Sequence, residues 1–528
     1  MLYHASPAPG GVISASTPAT KGESVRDGAR LRSILILFAA TALMVSYIET
    51  MIVPGLPNFA SFFADAPLTS VTWILSAYLI VGVAITPIAG KLGDIYGKKR
   101  VLVAILSVYF IAVATAGFTP DIGTPLGIGR GDQLYLLIGV RAVQGIGMGI
   151  FPLAYAMIGE EFPREKMAFS RSIVSAMFVI GASVGLLGGA WVTQEYGWQL
   201  TYQTMIPIAG TVLALAAFLL RESQVRLPQR IDIPGATSLA LTLTFFLLGL
   251  TEGANWGWTQ WSAYSLAGVP LGAPEFFLLS AAFLIAFILV ERRSPRPIVD
   301  FAKLAERNVL IANAVGLFAS TAMFLGYVGL VARVELPAPV GLGKTYLDFG
   351  LYIVPATLTT MAAVLFVGRS LHKYGPKPAM LFGSILIVGG GAWLAAFNTT
   401  VPDMIIGPIP TLVGVIVIYV ALTQLIVLSS KPQEVGVTTG MNQTFRNLGN
   451  AIGPVVASTI LASLLTTYIV LIPNPPSTPI EHAFQAPSAA AFQLIFFLIA
   501  AFGVCSFVFS TFIRNSQTKE AEILRKSR

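Results

Sequence analysis

The sequence contains little charge, a single cysteine and few histidines. Only 11% of its 528 residues are charged, whereas soluble domains carry about 25%. Cys505 alone cannot form an internal disulfide, and the three histidines are scattered, so we expect no metal and no cofactor. The net charge of +8 does not indicate nucleic-acid binding, because the basic residues occupy short segments beside apolar runs. These shortages exclude an ordinary soluble domain.

Hydrophobic residues, by contrast, are abundant. They make up 55% of the chain and give it a mean hydropathy of +0.76. A bilayer is spanned by about 17–25 apolar residues, and about fourteen segments meet this criterion. The predicted spans are 33–53, 70–90, 101–119, 133–157, 171–193, 204–220, 236–252, 274–290, 309–331, 347–366, 379–397, 404–429, 445–471 and 491–512. The sequence therefore predicts an all-α membrane protein that crosses the bilayer many times.

The basic residues lie on alternate connections between these spans. Clusters at 26–32, 98–100 and 525–528 fall on one side, while the intervening connections are poor in bases. Basic loops stay in the cytoplasm, and an even number of spans returns the chain to its starting side. We therefore expect a multi-pass protein of the plasma membrane with both termini in the cytoplasm.

A charged, glycine-containing segment, residues 90–100, separates the second and third predicted spans. Its glycines and charged residues include Gly90, Asp94, Gly97, Lys98, Lys99 and Arg100. Unpaired backbone groups are not tolerated in hydrocarbon, so we predict a cytoplasmic loop in which the glycines permit a tight turn. Asp94 is expected to pair with a base or a helix N-terminus. Residues 368–377 repeat the pattern, which is typical of transporters whose site lies between two halves.

Three motifs resemble those of the Major Facilitator Superfamily. Residues 90–100 resemble its cytoplasmic loop signature, and residues 141–149 resemble its second signature. Residues 49–57 resemble the first-helix signature of the fourteen-helix drug–proton antiporter branch, although the acidic residue, Glu49, stands one position later. The resemblance covers most of residues 33–512. It implies that segment 90–100 governs the switch between inward-open and outward-open states.

The resemblance also implies a fold and a function. The fold is two six-helix bundles plus two inserted helices. In that division, 1–32 is a disordered cytoplasmic tail, 33–221 the N-terminal bundle, 222–308 the inserted helices with linkers, 309–513 the C-terminal bundle and 514–528 a cytoplasmic tail. The implied function is secondary active transport, not enzymatic catalysis: export of lipophilic, drug-like small molecules by alternating access, coupled to protons. Because the sequence has no nucleotide-binding motif, the energy is expected from an ion gradient.

Glu49 and Arg141 are the predicted proton-coupling residues. Glu49 is the only carboxylate within the first six predicted spans, and helix geometry puts it within about one turn of Arg141 in depth. An intramembrane arginine normally faces a cavity or a partner, so we expect Arg141 to bias proton binding by Glu49. Alternatively, Glu49 caps the outer end of its helix and Arg141 belongs to a structural ion pair.

Aromatic, methionine and polar side chains within the spans are candidates to line a substrate cavity. They are Tyr47, Trp73, Tyr78, Gln144, Met323, Phe324, Tyr327, Gln424, Gln443 and Arg446. Any one of them could instead pack in the core or face lipid. The expected partners of a monomer are a small-molecule substrate, protons and the lipid bilayer. The alternatives are an exporter or importer of a specific metabolite and a non-transporting receptor of the same fold.

Overall fold

The computed structural model describes residues 21–64, 66–223, 232–261, 264–266, 269–295, 297–429, 435–472 and 480–514. The first part of the chain contains α1 (Lys21–Thr50), α2 (Leu56–Phe62), α3 (Leu68–Val71), α4 (Trp73–Tyr96), α5 (Lys98–Gly117), α6 (Thr119–Gly123), α7 (Gln133–Gln144), α8 (Ile150–Glu161), α9 (Arg164–Tyr196), α10 (Trp198–Gln203) and α11 (Met205–Leu219). The second part contains α12 (Ile233–Trp256), α13 (Ala273–Arg293), α14 (Phe301–Leu304), α15 (Arg307–Glu335), α16 (Tyr346–Tyr374), α17 (Pro376–Ala396), α18 (Val401–Ile406), α19 (Pro408–Ser429), α20 (Val435–Ser463) and α21 (Ala489–Thr511). Single 3₁₀ turns occupy Val53–Gly55 and Gly145–Gly149.

Two short antiparallel hairpins interrupt the helices. Strand β1 (Tyr264–Leu266) pairs with β2 (Val269–Leu271) between the two inserted helices α12 and α13. Strand β3 (Leu465–Ile472) pairs with β4 (Ile480–Pro487) between α20 and α21. Neither hairpin was expected from the sequence.

The predicted spans coincide with helices. Eleven helical segments in the described ranges are long and apolar enough to cross a membrane. The other three predicted spans, 171–193, 347–366 and 445–471, overlap α9, α16 and α20, which are 33, 29 and 29 residues long. The prediction of a helical membrane protein is confirmed, and the number fourteen stays a prediction.

Two predicted boundaries were wrong. Helix α1 begins at Lys21, so residues 21–32 of the predicted disordered tail are helical; residues 1–20, and 515–528 of the second tail, lie outside the described residues. Helix α20 ends at Ser463, and the end of predicted span 445–471 forms β3. The sequence of β3, LTTYIVLI, is rich in β-branched residues that favour strands, and apolar length alone does not separate such a run from a helix.

The helices on either side of α12 and α13 pack in corresponding pairs. In the first set, α1 packs against α9 and α5 against α11. In the second set, α15 packs against α20 and α17 against α21. The same packing scheme therefore occurs twice in the chain, once on each side of α12 and α13.

Glycines allow the closest of these approaches. A Cβ at Gly185 would lie 2.6 Å from the carbonyl oxygen of Tyr47, and one at Gly189 would lie 2.0 Å from that of Met51. In the other bundle, a Cβ at Gly449 would lie 2.4 Å from the carbonyl oxygen of Leu317 in α15. Small residues at helical spacing let two helix backbones meet in this way. The glycines of α9 and α20 have that role.

The two bundles meet through α4 with α20 and through α9 with α16. Thr72 Oγ1 and Ser458 Oγ lie 3.1 Å apart, and Ser76 Oγ donates to the carbonyl oxygen of Ala451 at 3.1 Å. On the other side of the interface, the Leu347 amide donates to Gln194 Oε1 at 2.9 Å. These hydrogen bonds all lie in the half of the molecule remote from Asp94.

The inserted helices α12 and α13 pack against each other, and α12 covers the seam between α4 and α20. Trp73 Nε1 donates to Thr251 Oγ1 at 3.1 Å, which joins α4 to α12. Thr459 Oγ1 donates to the carbonyl oxygen of Leu250 at 3.3 Å, which joins α20 to α12. Helix α12 is therefore in contact with both bundles.

Candidate transport site

Segment 90–100 is mostly helical, so its prediction as a loop was wrong. Gly90 and Asp94 lie in the last turns of α4, and Lys98 begins α5. Only Gly97, with a φ of 103°, lies between the two helices. Its conformation is one that side chains disfavour, and a Cβ there would lie 2.4 Å from Glu222 Oε1. One glycine therefore makes the whole turn.

The charges of this segment form a network. The Lys98 side chain is 5% exposed, and its Nζ lies 3.0 Å from Asp94 Oδ1 and 2.6 Å from Glu160 Oε1. This confirms the expected pairing of Asp94 with a base and adds Glu160, from the end of α8. The carboxylate of Glu222 accepts the backbone N–H groups of Lys99 and Arg100 at 3.1 and 3.2 Å. A carboxylate at this position stabilises the N-terminus of α5.

The second copy of the pattern has the same turn. Helix α16 ends at Tyr374, Gly375 has a φ of 77°, and α17 begins at Pro376. Lys377 Nζ donates to the carbonyl oxygens of Thr511 and Ile513, at 2.7 and 3.1 Å, at the end of α21. The repeat found in the sequence is thus a repeat in the backbone as well.

Glu49 and Arg141 are both buried within the N-terminal bundle, at 2% and 0% exposure. Arg141 Nε donates to the carbonyl oxygen of Ile74 at 3.0 Å, Nη1 donates to Gln144 Oε1, and the guanidinium lies 4.5 Å from the centre of the Tyr78 ring. No ion pair joins Glu49 to Arg141 among the described residues. Arg141 nevertheless interacts electrostatically with Glu49, and the role of the two residues in proton coupling stays a prediction.

Several polar atoms around this pair are buried without a hydrogen-bond partner among the described residues. They are Glu49 Oε2, Arg141 Nη2, Gln144 Nε2, Ser46 Oγ, Tyr109 Oη and Tyr202 Oη. Buried polar groups are normally satisfied, and such a concentration is typical of a functional site. Sequence reasoning missed Tyr109 and Tyr202, because a tyrosine in an apolar run carries no signal that separates it from a packing residue.

A second polar cluster belongs to the C-terminal bundle. The Arg446 guanidinium lies 3.5 Å from the centre of the Tyr419 ring, and Nη1 donates to Gln443 Oε1 at 3.4 Å. Gln443 Nε2 in turn donates to Asn447 Oδ1 at 2.9 Å. Arg446 also interacts electrostatically with Glu49. Glu49 is therefore influenced by one arginine of its own bundle and one of the opposite bundle.

The remaining cavity candidates divide into three groups. Tyr327, which is buried, has an electrostatic interaction with Glu49, and its ring lies 5.6 Å from that of Phe324. Tyr47, by contrast, packs against Gly188 of α9, and Trp73 donates its hydrogen bond to Thr251 of α12. Both of these side chains make helix–helix contacts. Met323 packs against the core, and Gln424 is half-buried with an Oε1 that has no hydrogen-bond partner in the part of the chain that the structure describes.

A separate groove of about 320 Å³ lies between α16, α17 and α19. Its lining includes Phe366, Tyr374, Phe382 and Val417, and none of the candidate cavity residues. Phe366, Tyr374 and Phe382 are exposed. A nearly wholly apolar outer groove of this kind suits lipid chains better than a substrate path. We therefore locate the candidate site at Glu49 and its surroundings.

Two helical bundles with a buried polar site near their interface define a membrane transporter. The sequence model of the Major Facilitator Superfamily matches residues 38–454. This chain belongs to that superfamily, which consists of transporters of small molecules and not of enzymes.

Relatives and solved structures agree with this assignment. The multidrug transporter protein MdtP of Bacillus subtilis is 25% identical over 83% of this chain and 78% of its own length, and multidrug resistance protein 3 of the same organism is 26% identical over 75% and 73%. The human organic anion transporter MFSD10 superposes with a TM-score of 0.55 at 16% identity, covering 91% of this chain and 99% of that one. The Escherichia coli xylose transporter XylE gives 0.56 at 12% identity, covering 90% and 97%. The two structures establish a shared fold.

Proposed function

We propose that this protein is a proton-coupled exporter of lipophilic, drug-like small molecules. It works as a monomer in the plasma membrane, with both termini in the cytoplasm, and its other partners are protons and the lipid bilayer. The names of the two Bacillus relatives, a multidrug transporter and a multidrug resistance protein, support the substrate class. The bases on alternate connections support the orientation.

The environment of Glu49 carries the proposal. Glu49 is a buried carboxyl group with one oxygen unpartnered among the described residues, and it interacts with arginines of both bundles. Burial favours the neutral form of a carboxyl group, whereas a nearby cation favours the charged form. A change in the distance between the bundles therefore changes the proton affinity of this group. Such a group can couple proton movement to alternating access.

The bundles formed by 33–221 and 309–513 are the two rocking units in this proposal, and 222–308 supply the inserted helices. The hydrogen bonds of Thr72, Ser76 and Leu347 hold the bundles together in the half remote from Asp94. With Asp94 on the cytoplasmic side, these hydrogen bonds close the outer half of the transporter in the proposed cycle. The network of Asp94, Lys98 and Glu160 lies on the side that must close in the outward-facing state, and it acts as the conformational switch.

The proposed cargo site lies between the two polar clusters. Tyr78, Phe324 and Tyr327 supply aromatic surface, and Gln144 and Arg446 supply polar contacts. Apolar walls with a few polar groups suit a lipophilic ligand. An outwardly directed exporter would bind its cargo from the cytoplasm, release it outside, and return with a proton on Glu49.

The function is tested first in inside-out membrane vesicles, where export appears as uptake. We expect a fluorescent lipophilic cation to accumulate when the vesicle interior is acidic, and accumulation to stop when an ionophore collapses the pH gradient. Glu195→Gln is the matched control for Glu49→Gln, because Glu195 is an exposed glutamate at the far end of α9. The control is expected to retain uptake. Gradient-independent uptake would contradict proton coupling, and uptake of a sugar or organic anion alone would favour a specific-metabolite transporter.

A further inference from the structure

Two buried carboxyl groups meet where the inserted helices α12 and α13 come together. Asp232 directly precedes α12, and Glu291 lies in the last turns of α13. Their side chains are 7% and 2% exposed. Neither residue takes part in the proposed transport site, which lies around Glu49.

The two carboxyl groups converge on Gly235, in the first turn of α12. A Cβ at Gly235 would lie 2.6 Å from Glu291 Oε1 and 2.8 Å from Asp232 Oδ1. Both oxygens thus flank the same point, and glycine is the residue that leaves room for them. The Asp232 charge accordingly acts on Glu291.

In each carboxyl group, one oxygen accepts a backbone hydrogen bond and the other accepts none from the described residues. Asp232 Oδ1 accepts the Gly235 N–H at 2.8 Å, which caps α12, and Glu291 Oε2 accepts the Val299 N–H at 3.2 Å, which holds the connection after α13. Asp232 Oδ2 and Glu291 Oε1 have no hydrogen-bond partner among the described residues. Two buried, like-charged oxygens without donors are unfavourable.

Among the residues that the structure describes, one cation faces this pair from a neighbouring element. Lys91, in the last turns of α4, interacts electrostatically with Glu291. The arginines that follow on α13, Arg292 and Arg293, are exposed. Within the described ranges, a single lysine balances one of the two negative charges, and a proton can neutralise the second carboxyl group.

We propose that Asp232 and Glu291 form a proton-binding site in which the two carboxyl groups share one proton. A carboxylic acid and a carboxylate at close range can share a proton, whereas two carboxylates repel. The shared proton forms a hydrogen bond between the start of α12 and the end of α13. It holds these two helices together at the end that lies on the same side of the molecule as Asp94. Lys91 belongs to the switch segment 90–100 and lies about one turn before Asp94, so this junction interacts with the switch segment directly.

The site makes the stability of the inserted pair depend on pH in a defined direction. At a pH above the ordinary titration range of carboxyl groups, the unfolded chain has released this proton, whereas the folded protein still holds it. The folded protein is therefore most stable in mild acid, and its stability falls as the pH rises. Glu291→Gln supplies a permanent amide donor in place of the shared proton. That variant should keep the junction and lose the pH dependence.

The test is infrared spectroscopy of the full-length protein in lipid, titrated from mild acid to mild alkali. We expect the wild-type spectrum at neutral pH to contain a carbonyl band of a protonated carboxyl group that is missing from the spectra of both Glu291→Gln and Asp232→Asn, so that it appears in each wild-type-minus-variant difference; any band of Glu49 is common to all three proteins and cancels. Asparagine can still cap α12, so the second variant guards against misfolding in the first. Asp300→Asn, which changes the aspartate that caps α14, is the control and should retain the band.

Thermal unfolding of the same variants gives the second readout. The melting temperature of the wild type should fall with rising pH more steeply than that of Glu291→Gln. An unchanged neutral-pH band in both single variants would overturn the proposal, as would equal pH dependence of melting in wild type and Glu291→Gln. Because neither measurement involves transport, both results are independent of the fate of Glu49 as a coupling residue.

Discussion

Gly189→Ala should separate α9 from α1 and destabilise the N-terminal bundle. The added Cβ would lie 2.0 Å from the carbonyl oxygen of Met51 and 2.6 Å from its carbonyl carbon. Since carbon atoms pack at about 3.5–4.0 Å, the two backbones must move apart by more than about 1 Å. The clash involves backbone atoms, so no side-chain rotation can relieve it.

The magnitude follows from the cost of overpacking. Inserting a methyl group into a well-packed interface lowers the free energy of unfolding by about 1–3 kcal/mol. A loss of about 1–2 kcal/mol already lowers the ratio of folded to unfolded protein by a factor of about 5–30. The matched control is Gly139→Ala in α7, where an added Cβ meets nothing within 4 Å. Because alanine is the better helix former, the control should be neutral or more stable by about 0.5–1 kcal/mol.

Thermal unfolding in detergent measures both variants side by side. We expect a melting temperature several degrees lower for Gly189→Ala and unchanged or higher for Gly139→Ala. Because Met51 follows Glu49 by two residues, transport by Gly189→Ala should also fall at temperatures where the protein is folded. Equal stability of the two variants would refute the assigned contact between α1 and α9.

Three further substitutions test the switch segment and the opposite bundle. Lys98→Met leaves Asp94 and Glu160 without their shared cation, and we expect the free energy of unfolding to fall by about 1–2 kcal/mol. This is less than for a fully buried ion pair, because the two carboxylates are partly exposed, and it is measured as a lower melting temperature. Glu222→Gln removes the charge that caps α5 and should cost about 0.5–1 kcal/mol, with the difference from wild type shrinking at high salt. Arg446→Gln removes the arginine of the opposite bundle and should reduce gradient-driven accumulation about tenfold or more. Binding of the cargo, measured by fluorescence, should change less. An equal loss of accumulation and binding would mean that Arg446 only binds the cargo.

The helical architecture could be predicted because hydrocarbon imposes length and apolarity on every span. The repeat at 90–100 and 368–377 could also be predicted, since glycine is required where the chain turns with positive φ, as Gly97 and Gly375 do. The helical state of Gly90 and Asp94 could not, because glycines and charges at the end of a helix resemble those of a loop. The β3–β4 hairpin was missed because the spans were predicted from the length and mean hydropathy of each segment, and these two quantities do not separate a strand from a helix.

The candidate site could be predicted in part. Glu49 and Arg141 were recognised because charge within an apolar run is rare. The electrostatic reach of Arg446 to Glu49 could not be deduced, since it depends on how two segments almost 400 residues apart are packed. Glu160 and Glu222 were missed because carboxylates at the ends of spans are common and acquire their role only from the folded neighbours that they contact.

The most direct test of the account compares two modes of transport by Glu49→Gln in reconstituted vesicles. A glutamine cannot take up and release a proton, so the variant should lose accumulation driven by a pH gradient. It should retain exchange of labelled for unlabelled cargo at equal pH, because exchange needs rocking of the bundles but no net proton movement. Accumulation at the wild-type level would contradict the role of Glu49 as the coupling residue, and loss of both modes would mean that Glu49 is needed for the rocking motion itself.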